Sequence, residues 1–363
     1  MASATFITLM ILCSQKKQGV SFEEKRLGQV LPGAVMRSRP VFSPNGRSVA
    51  YSARKDGVNF VVVGEGMEET FDDVKDLSFR PDSNEVAYAA KRGKQWSVVA
   101  GRSKGKEYDA VGPPRYSSDG SVLAYAASKG TKSVVVVGGK EGPEFEDVTD
   151  PALRGDGRQV AYGAKRAGKW YLCMDGEIGK EFEGVHSPVF RPDGGQIAFA
   201  AKREEKWFVL AGSSEGETFD HVGAPVWSPD GKRLAYAVKI AQKWFMVDGR
   251  ESEEGFDGMS VPVFRPDGRS IAYIAFEGMN CFVVIGQRKG GTFERVDHPV
   301  FSTDGKVVAY GANKGKRWVM VIGEKTSDEL DDVGAPVFSP DGKKVAFGAS
   351  MNGVLWWRVK KVE

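Results

Sequence analysis

The sequence has few of the residues on which most metal and thiol sites depend. It contains three cysteines and three histidines among 363 residues. Cys13, Cys173 and Cys281 are scattered without a paired spacing, which excludes a disulfide framework and a CxxC-type zinc site. None of the motifs GxSxG, HExxH or the P-loop occurs. The sequence therefore predicts no catalytic residue, no metal site and no cofactor.

Long apolar runs and a strong excess of one charge are also lacking. No run reaches the roughly 18 to 20 apolar residues that a membrane-spanning helix requires. Fifty-one basic and 48 acidic residues leave a formal charge of +3, which is too balanced for the whole surface to attract a polyanion. Nucleic acid is therefore not expected as a partner. Hydrophobic residues make up 41% of the chain, so we expect a folded globule. We also expect a monomer.

The N-terminal segment, residues 1–18, has two interpretations. Residues 6–12 are apolar and precede Cys13 and a polar stretch, an order similar to a bacterial lipoprotein signal that ends at an acylated cysteine. This interpretation predicts a lipid anchor at Cys13 and an exported or periplasmic protein, although no basic residue precedes the apolar run and Leu12 stands where a small residue is expected. The second interpretation is an additional N-terminal β-strand in a cytoplasmic protein.

Residues 19–363 form one domain built from a repeat of constant length. Each copy opens with a segment like PVFSPDG, and each contains an aliphatic-Ala-aromatic triplet such as Val49-Ala50-Tyr51. The copies follow one another every 37 residues, as from Pro40 to Leu77, with no insertion or deletion. The first strand of each of the nine copies is expected to start near Pro40, Leu77, Pro114, Pro151, Pro188, Pro225, Pro262, Pro299 and Pro336.

Within each copy, four short β-runs, a to d, are separated by turns rich in Pro, Asp and Gly, which is the strand pattern of a propeller blade. The sequence therefore predicts an all-β fold, a single closed β-propeller of nine four-stranded blades, with eight blades as the alternative. The last copy lacks a strand d, whereas 39 residues precede the first strand a. We expect an N-terminal strand to complete the final blade, and residues 19–24 and 30–36 are both candidates for it.

The recurring FSPDGKxVAY core resembles the WD-like repeat of TolB-type β-propellers, which also occurs in the propeller domains of prolyl-oligopeptidase relatives. The resemblance covers about residues 31–363 and implies a propeller fold without implying one activity. The departures from the repeat are mild, because Ser83 replaces a turn glycine and Gly155 and Thr303 replace the turn proline. Nine copies exceed the six to eight of most such propellers.

Basic and aromatic residues recur on the links that the chain path places on one face, the b–c and d–a links. Cations occupy the b–c links, and a tryptophan opens strand c in five copies. One interpretation is a binding rim for a protein partner, with an anionic or carbohydrate ligand as the alternative. The other is that the tryptophans pack between blades and the cations are solvated. The candidate rim comprises Lys91, Arg92, Trp96, Lys165, Arg166, Lys169, Trp170, Lys202, Arg203, Lys206, Trp207, Lys243, Trp244, Arg317 and Trp318.

In the seventh and ninth copies the b–c links become apolar instead, and Phe276, Met279 and Met351 are the candidate residues of an apolar docking gap in this rim. An acidic residue recurs at the end of strand d, where we expect inter-blade ion pairs. Histidines occur in three d–a links, which are expected to lie a blade width apart. The preferred function is a non-enzymatic binding scaffold. The alternatives are a ligand-binding or catalytic propeller, of the glycan lyase or hydrolase type, and a purely structural amplified repeat.

Overall fold

The computed structural model describes residues 22–81, 83–249, 252 and 254–362. These residues form nine antiparallel sheets arranged as a nine-bladed β-propeller, and none of them lies in a helix. The predicted fold is confirmed, and the eight-bladed alternative is excluded. Residues 1–18, including Cys13, lie outside the described residues. Within the described part of the chain, no helix is both long enough and apolar enough to cross a membrane.

Strands b and c form the centre of every blade. They are apolar at successive positions because neighbouring blades cover both faces of each sheet. The b strands are Val49–Lys55, Val86–Arg92, Leu123–Lys129, Val160–Arg166, Ile197–Arg203, Leu234–Ile240, Ile271–Glu277, Val308–Lys314 and Lys344–Met351. The c strands are Val58–Val63, Gln95–Ala100, Lys132–Val137, Lys169–Met174, Lys206–Ala211, Lys243–Val247, Asn280–Ile285, Arg317–Ile322 and Val354–Lys361.

Strand a is innermost, and in seven blades it is interrupted near its centre. It begins before the residue that opens each sequence repeat, for example at Asp73 where the sequence predicts a start near Leu77. The a strands are Val35–Met36 with Val41–Phe42, Asp73–Phe79, Ala110–Val111 with Arg115–Tyr116, Asp147–Val148 with Ala152–Leu153, Gly184–Phe190, His221–Val222 with Val226–Trp227, Gly258–Met259 with Val263–Phe264, Arg295–Val296 with Val300–Phe301, and Asp332–Val333 with Val337–Phe338.

Strand d is outermost and varies in length. In six blades its last paired residue is an aromatic or leucine side chain that bridges strand c in isolation, as Tyr108 bridges Trp96. In blade 6, the described residues of strand d form only such a bridge, between Phe256 and Trp244. The d strands of blades 1 to 5 and 7 to 9 are Gly66–Phe71, Ser103–Lys104, Lys140–Glu141, Glu177–Phe182, Ser214–Glu215, Arg288–Lys289, Lys325–Thr326 and Glu23–Gln29.

The ring closes through an N-terminal strand, as expected from the sequence. Glu23–Gln29 pairs antiparallel with Val354–Lys361 and forms strand d of blade 9. This strand overlaps residues 19–24 only at Glu23 and Glu24. It does not overlap residues 30–36, of which Val35–Met36 belongs to strand a of blade 1. The sequence therefore predicts the closing device correctly but not its position.

The junction of blade 9 with blades 1 and 8, which we call the seam, is stabilised by two arginines that have no counterpart in the other copies. The Arg358 side chain is only 5% exposed, and its guanidinium forms ion pairs with Glu24 of the closing strand at 2.6 Å and with Asp328 of blade 8 at 2.7 Å. Arg39 of blade 1 reaches past blade 9 and donates hydrogen bonds to Asp297 and Asp332 at 2.8 and 2.9 Å. Burial lowers the pKa of Arg39, but the two carboxylates outweigh burial and raise it overall.

The core consists of apolar layers between adjacent blades. The last aromatic residue of strand d meets the aromatic residue of the aliphatic-Ala-aromatic triplet in the next blade. Phe145 and Tyr162, for example, are edge-to-face with ring centroids 6.2 Å apart. The same geometry recurs between Phe71 and Tyr88 at 5.9 Å. Edge-to-face pairs add about 0.5–1.5 kcal/mol to the effect of burial, so the recurring triplet marks the interface between blades.

Candidate binding face

An acidic residue recurs at the end of strand d, and we call this set of residues the acidic column. Its side chains cap the b–c turn of the next blade. Asp109 accepts a hydrogen bond from Gly130 N at 2.7 Å, and Asp257 accepts one from Gly278 N at 2.8 Å. Glu183 accepts the amides of Glu204 and Glu205, which hold positive φ angles of 51° and 61°. These bonds explain why the chain leaves strand d at the acidic residue. They also show that these carboxylates cap turns, a role that the sequence did not suggest, in addition to forming ion pairs.

Three cations of the candidate rim pair with the same column across the blade interface. Lys206 contacts Asp220 at 2.6 Å, Lys243 contacts Asp257 at 2.7 Å, and Arg317 contacts Asp331. The hydrogen bond from Lys206, followed by that from Ala241 N, holds the pKa of Asp220 below its usual range. Each of these carboxylates therefore joins the cation of one blade to the b–c turn of the next, and these three cations have internal partners.

The other cations of the candidate rim differ from blade to blade. Arg92 pairs with Glu69 at 2.7 Å. In blade 5, Lys202 pairs with Glu205 at 2.5 Å and Arg203 with Glu215 at 3.0 Å. The remaining four have no ion-pair partner among the residues that the structure describes, although Lys91 lies over the Trp96 ring and Arg166 over the Phe145 ring. These four cations are Lys91, Lys165, Arg166 and Lys169.

All five tryptophans of the candidate rim are half-buried between blades. Trp207 spreads over Gly184 of its own blade so closely that a Cβ at this glycine would lie 2.7 Å from the indole ring. Trp96 packs against the interface of blades 2 and 3, with Tyr108 and Tyr125. The tryptophans therefore contribute to the core, and only their edges reach the surface of this face.

One part of the face differs from the others because rings of two adjacent blades join in a row. The His186 ring lies 4.6 Å from Trp207, Trp207 lies 5.4 Å from His221, and His221 lies 5.6 Å from Trp244, measured between centroids. Neither the two indole N–H groups nor the exposed His221 imidazole makes a hydrogen bond to another described residue. We call these four residues the ring row.

The ring row borders a cavity in the central channel. This cavity has a volume of 1070 Å³ and is lined by the inner strands of blades 3, 4 and 5, including Arg115, Asp150 and His186. Burial, followed by the neighbouring His221, lowers the pKa of His186 to about 4. His186 Nε2 is buried without a hydrogen-bond partner. His186 is therefore a neutral imidazole at neutral pH.

The candidate apolar docking gap is not brought together as one patch. Phe276 and Met279 lie in the b–c hairpin of blade 7 and are 40% and 94% exposed. Met351 belongs to blade 9, where it packs against the core between blades 8 and 9. Blade 8, with Lys314 and Arg317 at its own b–c hairpin, separates the two positions.

The described residues contain no group of three or more His, Cys, Asp or Glu side chains that could hold a metal ion. Cys173 and Cys281 are buried free thiols, and burial raises the pKa of both. Sequence reasoning missed the ring row, because it placed His186 and His221 a blade width apart. It also missed Arg39. This residue could have been noticed, because it is an arginine at a repeat position where no other copy has a lysine or arginine.

No protein-family model matches the sequence, and no curated protein matches it. The structure is similar to the crystal structure of the eukaryotic initiation factor, with a TM-score of 0.52 and 12% identity over 86% of this chain and 90% of that one. It is also similar to the β-propeller domain of Cps50 (Swd1) from Myceliophteria thermophila, with a TM-score of 0.36 and 14% identity over 69% and 95% of the two chains.

A third similar structure is the β-propeller domain of the Trilobed protease from Pyrococcus furiosus, with a TM-score of 0.39 and 13% identity over 69% of this chain and 94% of that one. At 12% identity the similarity to the initiation factor concerns the fold alone, and the two structures with TM-scores below 0.5 support no conclusion. The resemblance to TolB-type repeats continues to rest on the sequence motif alone.

Proposed function

We propose that this protein is a non-enzymatic binding scaffold, and that it binds a protein partner on the face formed by the b–c and d–a links. The observation that carries the proposal is the ring row of blades 5 and 6. Its four rings contact one another in series, yet the two indole N–H groups, the His221 imidazole and Nε2 of His186 have no hydrogen-bond partner within the described chain. Half-exposed aromatic side chains with free donors are typical of the centres of protein interfaces.

The charges next to the ring row indicate the character of this partner. Blade 4 lies beside blade 5 and presents Lys165, Arg166 and Lys169, which form no ion pair within the described chain. In blades 5 and 6, by contrast, Lys206 and Lys243 are paired internally. The free groups extend over three blades and do not converge in one pocket, which favours an extended protein segment with acidic side chains over a compact ligand.

The proposal can be tested by affinity capture with the full chain and mass spectrometry, using matched variants. His221→Ala alters an exposed ring, and Lys165→Glu with Lys169→Glu reverses the unpaired charges of blade 4. The control pair, Lys232→Glu with Lys343→Glu, reverses two exposed lysines on the opposite face. We expect the control to retain the partner and the first two variants to recover at least tenfold less of it. Equal recovery by all variants would contradict the proposal.

A small-molecule ligand of the central channel is the second candidate, and the observation that favours it is the unpartnered Nε2 of His186 at the wall of the 1070 Å³ cavity. A concave cavity of this size with charged groups such as Arg115 and Asp150 on its wall suits a polar small ligand. A thermal-shift screen of polar metabolites on the wild type and on His186→Phe tests this candidate. It is supported only by a compound that stabilises the wild type and not the variant.

A further inference from the structure

The d–a links repeat every third blade as well as every blade. Two residues before the opening residue of each copy, blades 3, 6 and 9 have a glycine, namely Gly112, Gly223 and Gly334. Blades 2, 5 and 8 have a large polar or charged residue there, namely Lys75, His186 and Asp297. The same three blades have a tryptophan at the second position of strand c, namely Trp96, Trp207 and Trp318. We call this polar residue and the tryptophan of one blade a tryptophan site.

Arg39 occupies the tryptophan site of blade 8. Its guanidinium carbon lies 4.2 Å from the centroid of the Trp318 ring. The guanidinium donates hydrogen bonds to Asp297 of this site at 2.8 Å and to Asp332 of blade 9 at 2.9 Å. Two carboxylates on neighbouring inner strands therefore bind a planar cation on the face of a tryptophan.

The tryptophan site of blade 5 has imidazoles at these two repeat positions. His186 replaces the aspartate of the site, and His221 of blade 6 replaces the aspartate of the following blade. Their rings lie 5.7 Å apart between centroids, and His221 stacks on Trp207 with ring planes 26° apart. An ionised carboxylate only accepts hydrogen bonds, whereas an imidazole can donate one in its neutral as well as its protonated form. The site of blade 5 can therefore bind a group of the opposite charge to the one in blade 8.

Lys239 adds a positive charge beside these imidazoles. It lies directly opposite His221 in the sheet of blade 6, so the two side chains project from the same face of the sheet. In blades 3 and 9 this repeat position holds a serine, Ser128 or Ser350. Lys239 has no ion-pair partner among the described residues, and the nearby Asp220 is already paired with Lys206 at 2.6 Å. The ammonium group of Lys239 is therefore available to an anionic ligand.

The repeat position that supplies Arg39 to blade 8 supplies no polar group to blade 5. Its equivalent there is Val261 of blade 7, which is 41% exposed. For the site of blade 2, which contains Lys75, the equivalent is Asp150, and Asp150 pairs with Arg115 of blade 3 at 3.4 Å. The position is thus basic where the site is acidic, and acidic where the site is basic. Only for the site of blade 5 does this position carry no charge.

We propose that the tryptophan site of blade 5 binds the carboxylate of an aspartate or glutamate side chain of the partner protein. This inference rests on the proposed function, because the site belongs to the ring row and the carboxylate is the group that the ring row recognises. The exposed His221 imidazole donates a hydrogen bond to the carboxylate, and the Lys239 ammonium group supplies the opposite charge. His186 packs against His221 and holds its ring in position. Because His221 stacks on Trp207, the carboxylate contacts the edge of the imidazole and not the indole face.

The sequence contains only three histidines, so each imidazole can be followed separately by NMR in the full-length protein with ¹³C-labelled histidine rings. The probe is the peptide acetyl-Gly-Glu-Gly-amide, and acetyl-Gly-Gln-Gly-amide at equal ionic strength is its uncharged match. We expect the glutamate peptide to move the His221 signals at least threefold more than the glutamine peptide does, and at least threefold more than it moves those of His298 in blade 8. Lys239→Ser, which restores the serine of blades 3 and 9, is expected to reduce the His221 response at least threefold.

Affinity capture of the partner links this site to the proposed function. We expect Lys239→Ser to recover at least fivefold less of the partner, and Lys343→Ser, which removes an exposed lysine on the opposite face, to recover as much as the wild type. Equal effects of the two peptides on His221, a larger effect of the matching phosphoserine peptide, or equal recovery by the two lysine variants would overturn the inference. If the inference alone fails, His221→Ala still loses the partner; if the proposed function fails, His221→Ala recovers it in full.

Discussion

The Arg358→Met variant tests how the ring is closed. Methionine keeps an apolar stem in the buried position but removes the guanidinium that joins Glu24 to Asp328. Removing one partner of a fully buried ion pair costs about 3–5 kcal/mol, because a buried charge is left without a partner. Here Glu24 and Asp328 are 37% and 51% exposed, so water can hydrate both after the substitution. We therefore expect a smaller loss, about 2 kcal/mol.

Native-state hydrogen exchange of the full-length protein measures this loss where it occurs. The closing strand, Glu23–Gln29, is held by its pairing with strand c and by Arg358, so its opening free energy is expected to fall by the full amount. A loss of about 2 kcal/mol corresponds to about 30-fold faster exchange of its amides. Strand b of blade 4, Val160–Arg166, is the internal reference, and its exchange is expected to remain unchanged.

The matched control is Lys206→Met, which breaks an ion pair between two exposed side chains. It is expected to change exchange only locally, around Asp220, and to leave the closing strand as in the wild type. The proposed role of Arg358 would be refuted if its substitution changed the exchange of the closing strand less than threefold. Equal acceleration in all nine blades would also refute it, because the effect would then be global and not a property of the seam.

Two further predictions concern Arg39 and His186. Arg39→Lys keeps the charge but loses the planar fork that binds Asp297 and Asp332, so we expect urea denaturation to show a loss of about 1–2 kcal/mol; wild-type stability would contradict this. The pKa of His186 is about 4 in the folded protein and near 6.5 when unfolded, so its stabilising effect is present above pH 6.5 and is lost as the pH falls toward 4. The loss is about 3 kcal/mol, and a parallel pH profile of His186→Phe would contradict it.

Most of the fold could be predicted because the repeat has one length and one set of buried positions. The boundary between strands d and a could not, since it depends on a carboxylate that caps a turn 21 residues further along, as Asp109 caps Gly130. The position of the closing strand could not be predicted either. Of its seven residues only Leu27 and Gly28 are buried, so the apolar pattern is too weak to locate it, and Arg358 holds it instead.

The candidate rim was predicted as a set of recurring residues, but the sequence could not show which of them are free. Lys169 and Lys206 stand at the same repeat position, yet only Lys206 has an ion-pair partner within the described chain. The approach of His186 to His221 follows from the ring geometry. Both residues lie on inner strands, and adjacent blades are closest together near the axis. A separation estimated from the outer part of the blade is therefore too large at the channel.

The departures from the repeat form two groups, and the difference between them supports the proposed binding scaffold. At the seam, Arg39, Arg358 and Phe22 all have contacts that serve ring closure. His186 and Phe199 also break the repeat, but they lie in blade 5, far from the seam, where closure requires no exception. They leave an unpartnered imidazole nitrogen on one side and an open apolar groove on the other. Because ring closure needs no exception in blade 5, these departures are the part of the repeat that a binding function explains.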